Sequence, residues 1–280
     1  MIRVRVGVVA LLAALATLIP TGTASAVTGG TPASREYSHM AAFLDEGTFR
    51  CGGSLVAPSW ILTAAHCAEA VDNDASRISF VIGGDNLYLG GGEERNATQV
   101  VVHPNWGKPE DASYDVALVR LDQPSAHTPI RLANPATEKG LWAAGKPARV
   151  IGYGMPTDIT GELFETNVPM VGDQQCAQNY SLTGGGFEPV TMVCAGELYG
   201  VKDSCFGDSG GPLMVPASGS FDGTLLQVGV VSWGFLCGVP TQYGVYSRVA
   251  DSTLYDWIQA RIGNTATATS TRRKKAKASH

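Results

Sequence analysis

Leu225-Leu226-Gln227-Val228-Gly229-Val230-Val231-Ser232 is a short run dominated by aliphatic side chains, and Tyr243-Gly244-Val245-Tyr246-Ser247-Arg248-Val249 follows it across a segment containing Gly and Pro. Working outward, runs of the same kind occur at 41–44, 54–56, 78–82, 98–102, 116–121 and 148–152, each bounded by Gly, Pro, Asn or Asp. Short β-branched and aliphatic runs with such borders read as strands. Many in succession indicate antiparallel β structure closed as a barrel or stacked as a sandwich. The pattern changes once. Asp251-Ser252 caps a helix expected over 252–262, whose Leu254, Trp257, Ile258 and Ile262 fall near one face, with Gly263 as its stop. The reading is an otherwise β chain closed by a single C-terminal helix. Gln123 to Lys146, with Pro124, Pro129 and Pro135, is the expected connector between two β halves.

The chain has 280 residues, 44% hydrophobic and 16% charged, with 34 glycines, the composition of a folded globular protein. Residues 6–19 are apolar, follow Arg3 and Arg5, and lead into Ala24-Ser25-Ala26, so residues 1–26 read as a signal peptide. That stretch is too short for a comfortable membrane span, and no later one is long and apolar enough. A secreted, extracellular protein without a membrane span is expected. Residues 264–280 carry five basic residues, no acid and no large apolar side chain, and read as a basic disordered tail. The intervening body, 27–263, holds 13 basic residues against 25 acidic ones, a formal charge of −12. Such a body argues against nucleic acid as the partner. Its six cysteines, Cys51, Cys67, Cys176, Cys194, Cys205 and Cys237, read after a signal peptide as three disulfides, with fifteen pairings open. No pair has the close Cys-x-x-Cys spacing of a zinc site, so no metal is expected.

Three segments carry chemistry. In Trp60-Ile61-Leu62-Thr63-Ala64-Ala65-His66-Cys67 a histidine follows an apolar run. Tyr114-Asp115-Val116-Ala117-Leu118 puts a carboxylate at the head of a strand. Gly207-Asp208-Ser209-Gly210-Gly211-Pro212 surrounds a serine with glycines, which allow a sharp turn and bring backbone amides close to a substrate carbonyl. Taken singly, these are a core histidine, a strand-entry acid and a polar turn. Together they satisfy one chemical need: a serine hydroxyl requires a base that accepts and returns a proton, and that base requires a carboxylate to hold its tautomer.

In order and context, His66, Asp115 and Ser209 resemble the trypsin and chymotrypsin family of serine proteases. The likeness spans about 27–263 and includes Val27-Thr28-Gly29-Gly30, Cys51-Gly52-Gly53-Ser54, Ser232-Trp233-Gly234 and Tyr255-x-Trp257-Ile258. The resemblance implies an all-β fold of two six-stranded antiparallel β-barrels with a C-terminal helix, the barrels covering about 27–130 and 140–250. It implies Ser209 as nucleophile, His66 as general base and acid, and Asp115 as orienting carboxylate, with the amides of Gly207 and Ser209 as oxyanion hole. It pairs Cys51 with Cys67, Cys176 with Cys194 and Cys205 with Cys237.

The resemblance also puts Asp203 at the floor of the specificity pocket, where it selects Arg or Lys before the cut. Ser204, Ser232, Trp233, Gly234 and Gly244 complete that substrate site. It further implies activation by insertion of a freed Val27 amino terminus, pairing with Asp208, and cleavage after Ala26 would deliver that terminus directly. Expected partners are protein or peptide substrates and proteinaceous protease inhibitors, the protein acting as a monomer without cofactor. The chain departs from the pattern at Phe206 and Leu236, which narrow the pocket mouth. It departs again at Gly84, where the calcium loop of animal trypsins, here about 83–94, has its first glutamate ligand. The competing reading from another class is a catalytically silent, protease-like binding protein.

Overall fold

The computed structural model describes residues 27–154 and 161–263. The expected signal peptide and basic tail lie outside the described residues.

Six strands form the first barrel: β1 (Met40–Asp45), β2 (Thr48–Ala57), β3 (Trp60–Thr63), β4 (Ile78–Ile82), β5 (Glu93–Val102) and β6 (Ala117–Leu121). They close in the order β1-β2-β3-β6-β5-β4, every pairing antiparallel. The second barrel is built from β7 (Pro147–Gly152), β8 (Phe164–Val171), β9 (Met192–Ala195), β10 (Pro212–Pro216), β11 (Leu225–Trp233) and β12 (Gly244–Ser247). Its order, β7-β8-β9-β12-β11-β10, is closed by pairing of β10 with β7. The two barrels therefore share one topology although the sequence has no internal repeat. Closure removes the sheet edges that six short strands would otherwise expose.

Burial follows the sequence pattern where one strand face meets solvent. In β4, Ile78, Phe80 and Ile82 are buried while Ser79 and Val81 are half-buried. β11 is buried through Ser232 on both of its faces, and along its edge the connector's two-residue strand Arg131–Leu132 pairs with it in parallel, the Ala133 amide donating to the Gln227 carbonyl at 2.9 Å. This double burial is why 225–232 reads as a continuous apolar run. Phe43 and Phe80 meet edge to face at 5.4 Å in the first core. Val150, Val168, Leu213 and Val228 belong to the second. Between the barrels the buried Ser54 hydroxyl donates to Gln227 Oε1 at 2.7 Å.

The α-helices number three among the described residues, beside two short 3-10 turns at Ala75–Arg77 and Lys139–Trp142. α1 (Ala65–Glu69) follows β3, α2 (Asp173–Thr183) follows β8, and α3 covers 252–263. α3 is the expected closing helix, with the Asp251 carboxylate accepting from the Thr253 amide at 3.0 Å. Its Leu254 and Ile258 are fully buried in the cluster that includes the first barrel's core, each such side chain contributing roughly 1.5–3 kcal/mol. α1 and α2 both correct the expectation of a single helix. The α2 sequence is mostly polar, and among its described side chains only Cys176 and Tyr180, one turn apart, pack into the core, so it has no apolar stripe to detect. The Cys176–Cys194 disulfide ties it to β9.

Candidate active site

The register between two strands brings histidine and carboxylate together. β3 pairs with β6 so that Thr63 faces Ala117. Three residues past Thr63 stands His66, and two before Ala117 stands Asp115, so both emerge at the same barrel end. His66 lies in the first turn of α1, whose Cys67 is bridged to Cys51 of β2. The imidazole Nδ1–H donates to Asp115 Oδ2 at 2.7 Å, and the His66 backbone amide donates to Oδ1 at 2.9 Å. With Nδ1 carrying the proton, Nε2 keeps its lone pair. Asp115 is buried, and two serines from the second barrel hold it: Ser232 Oγ donates to Oδ2 at 2.5 Å and Ser247 Oγ to the Asp115 carbonyl at 2.8 Å. Burial alone would lower the His66 pKa. The hydrogen bond and charge of Asp115, with the charge of Glu69, outweigh it and set the pKa above 6.5.

Ser209 comes from the second barrel, just before β10. Gly52 of β2 donates to the Ser209 carbonyl at 2.7 Å, and the Gly210 amide donates to Val231 of β11 at 2.8 Å, so the serine loop is stitched to both barrels. Gly210 has φ +83°. A Cβ there would lie 2.3 Å from Thr63 Oγ1 and 2.4 Å from the Gly52 carbonyl oxygen, so only glycine lets this loop approach the strand end that precedes His66. Gly207 is also left-handed, at φ +88°.

A cavity of about 250 Å³ opens beside Ser209 and is lined by Asp203, Ser204, Ser232, Trp233, Gly234 and Gly244, all six residues expected for substrate binding. Asp203 is 4% exposed. Its Oδ2 accepts from the Gly238 amide at 3.1 Å, while the buried Oδ1 has no hydrogen-bond partner within normal distance among the described residues. Burial pushes its pKa up to about 7, against hydrogen bonding from Gly238 and Ser204 that lowers it. A Cβ on Gly244 would lie 2.6 Å from that Oδ1, so a side chain there would block it. Ser204 Oγ lies 3.2 Å from Tyr246 Oη. Phe206 and Leu236 line the same cavity, as does Phe235, which the sequence reading passed over. The supporting roles of Ser247 and Tyr246 were missed as well. Their only signal is position in a strand, which does not reveal what the strand faces.

Val27 is fully buried, and Thr28 bridges to Asp203, whose amide donates to the Thr28 carbonyl at 3.2 Å. Asp208, 1% exposed, accepts from the Gly154 amide at 3.0 Å and the Cys205 amide at 2.8 Å. Among the described residues no cation pairs with it, and burial pushes its pKa up to about 8. In the uncleaved chain the Val27 nitrogen is a peptide nitrogen. The three disulfides are Cys51–Cys67, Cys176–Cys194 and Cys205–Cys237, the pairing that the resemblance implies. The last joins the two walls of the cavity.

The loop about 83–94 does not fit calcium. The Glu93 carboxylate is taken by Arg95, by Ser125 Oγ and by the Ala126 amide, the last at 3.0 Å. Asn86 Oδ1 accepts from the amides of Tyr88 and Leu89. With Gly84 at the first ligand position and Glu93 already engaged by an arginine, the loop offers a cation two acids fewer.

A family model described as Trypsin matches residues 27–258. The chain is 31% identical over 252 residues to trypsin of Sus scrofa, the match covering 87% of this chain and 98% of that protein. It is 34% identical over 227 residues to vitamin K-dependent protein C of Rattus norvegicus, covering 76% of this chain and 46% of that protein. To serine protease 56 of Mus musculus it is 36% identical over 219 residues, covering 76% of this chain and 34% of that protein. The chain spans nearly all of the trypsin and half or less of the other two. With a family match across both barrels and the His66–Asp115 bond at their junction, the chain belongs to the trypsin family of serine proteases.

Proposed function

We propose that residues 27–263 form a secreted serine endopeptidase that cleaves peptide bonds after Arg or Lys. Ser209 Oγ attacks the substrate carbonyl carbon while His66 Nε2 takes its proton. Asp115 stabilises the imidazolium that forms. The oxyanion accepts hydrogen bonds from the amides of Gly207 and Ser209, each such donor worth roughly 3–4 kcal/mol in related sites. His66 then protonates the leaving amine, an acyl-enzyme remains on Ser209, and water activated by the same histidine releases the acid. The observation that carries the specificity is Asp203, whose buried Oδ1 has no hydrogen-bond partner among the described residues, in a cavity that also borders Ser209. A substrate guanidinium or ammonium supplies that partner and keeps the carboxylate ionised. In this reading the enzyme works as a monomer, and proteinaceous inhibitors that present Arg or Lys to the cavity are further partners.

The test is covalent labelling of Ser209 by an organophosphorus reagent, followed by cleavage mapping on a peptide library. Stoichiometric labelling with cuts after Arg and Lys is the expected result. Absence of labelling in the chain beginning at Val27 would leave the silent binding protein as the correct reading, and labelling with cuts elsewhere would remove Asp203 as the selector.

A further inference from the structure

Three large apolar side chains stand at the mouth of the Asp203 cavity, and solvent reaches more than half of each: Phe206 is 64% exposed, Phe235 57% and Leu236 52%. Their positions are fixed by covalent chemistry. Phe206 follows Cys205 and Leu236 precedes Cys237, and these cysteines are bridged with their Cα atoms 5.2 Å apart. The two walls of the mouth therefore each present an apolar side chain beside the same cross-link, and Phe235 extends the second wall outward from Gly234. A soluble protein rarely keeps such a cluster in water unless it meets a partner. Here the occupant is set by continuity, since the cluster lines the cavity that also holds Asp203 and borders Ser209.

We infer that this rim is a specificity element, selecting peptide substrates in which the basic residue is flanked by aliphatic or aromatic residues. The inference rests on the proposed cleavage after Arg or Lys. A basic side chain that reaches Asp203 passes through the mouth and fills the slot between Gly234 and Gly244, so the exposed outer parts of Phe206, Phe235 and Leu236 are left to its neighbours in the substrate chain. Contact there buries apolar surface on both partners, and discrimination of about tenfold, which corresponds to about 1.4 kcal/mol, is within reach of a single well-covered side chain.

The experiment compares quenched-fluorescence peptides that share one Arg and differ only in its neighbours, Leu or Phe against Ser or Gly. The enzymes are the chain beginning at Val27 and its Phe206→Gln, Phe235→Ser and Leu236→Ser variants, alone and combined. Active sites are counted by Ser209 labelling, so that misfolded protein drops out of the comparison. The unsubstituted enzyme is expected to favour apolar neighbours by about tenfold or more in kcat/KM, and the triple variant to lose most of that ratio. A flat profile in the unsubstituted enzyme overturns the inference. So does an equal loss on all peptides, which would mean that the rim packs only against the stem of the basic residue. Failure to cut after Arg with any neighbour would instead refute the cleavage specificity on which the inference rests.

Discussion

Arg149 and Glu165 face each other at 3.0 Å on adjacent strands β7 and β8, both nearly buried. Arg149 also donates to Tyr37 Oη at 2.8 Å and to Asn167 Oδ1 at 2.8 Å, and its guanidinium lies 4.3 Å from the Phe221 ring centre. Glu165 accepts from Tyr37 Oη at 2.5 Å and from Ser34 Oγ at 2.8 Å. Because the two-residue strand Thr31–Pro32 pairs with β8 at Phe164–Glu165, this network anchors the segment that leads from Val27 into the first barrel. Removing one partner of a buried pair costs about 3–5 kcal/mol. Glu165→Gln or Arg149→Met is therefore expected to lower Tm by roughly 6–20 °C, with the double change costing less than the sum. Burial raises the Glu165 pKa, but its hydrogen bonds and the Arg149 charge bring it below 4.5. A depressed carboxylate stabilises the fold above its unfolded pKa and loses that contribution as pH falls through the folded value. Tm should thus fall more steeply below pH 4.5 in the unsubstituted protein than in Glu165→Gln, as read by calorimetry at several pH values.

For the triad, activity is expected to rise with pH as His66 loses its proton, with a midpoint above 6.5 because Asp115 favours the charged ring. Asp115→Asn should lower turnover by about 10⁴, the size known for such triads, since the wrong tautomer is presented. Ser232→Ala removes one hydrogen bond to the carboxylate and should cost only about tenfold. Steady-state kinetics between pH 5 and 9 checks all three, and a midpoint unaffected by Asp115→Asn would detach the carboxylate from the histidine's chemistry.

Asp203 should make cation binding pH dependent. With its pKa pushed up to about 7 by burial, the carboxyl must lose a proton to pair with a guanidinium. Inhibition by small amidinium compounds is expected to weaken toward tenfold per pH unit below about 7. Asp203→Ser should reduce kcat/KM on Arg peptides by about 10²–10⁴, the equivalent of an unpaired buried cation, and reduce it far less on esters of apolar residues. Equal losses on both substrates would make Asp203 a structural acid.

Val27 and Asp208 give an activation test. If the proposed switch operates, a chain beginning at Val27 places an ammonium beside the Asp208 carboxylate, which among the described residues accepts from the amides of Gly154 and Cys205. The amino group, ordinarily near pKa ~8, is raised by that pairing, and activity should decline above this higher value as it deprotonates. A chain that retains one residue before Val27 is expected to be nearly inactive yet folded by circular dichroism. Full activity from that extended chain would refute the switch and leave the triad intact.

Glu93 and Arg95 lead to a simple prediction about metal. Since Arg95, Ser125 and Ala126 already use the Glu93 carboxylate, a chelator should leave Tm unchanged, whereas Arg95→Ala should lower it. A chelator-induced drop of several degrees would show that the loop binds a cation after all.

Local chemistry was legible in the sequence alone. The β class, the closing helix and the number of disulfides follow from side-chain type and short-range pattern, because burial period and turn chemistry are local properties, whereas the roles proposed for His66, Asp115, Ser209 and Asp203 came only from the family resemblance. Strands with a clean border, such as Ile78–Ile82, were read to the residue. Pro212–Pro216 and Met192–Ala195 were not, one being flanked by prolines and the other too short to show a period. Helix α2 was hidden because it needs only Cys176 and Tyr180 to dock.

What the tertiary structure alone decided is adjacency. His66 and Asp115 stand 49 residues apart and meet because β3 and β6 pair in one register. Ser232 and Ser247 reach Asp115 from 117 and 132 residues away, across the interface between barrels. The common strand order of the two barrels leaves no trace as a sequence repeat. Pairing and packing depend on which distant surfaces are complementary, and many different side chains satisfy the same pairing. A strand's sequence therefore reports how deeply it is buried and stays silent about its neighbour.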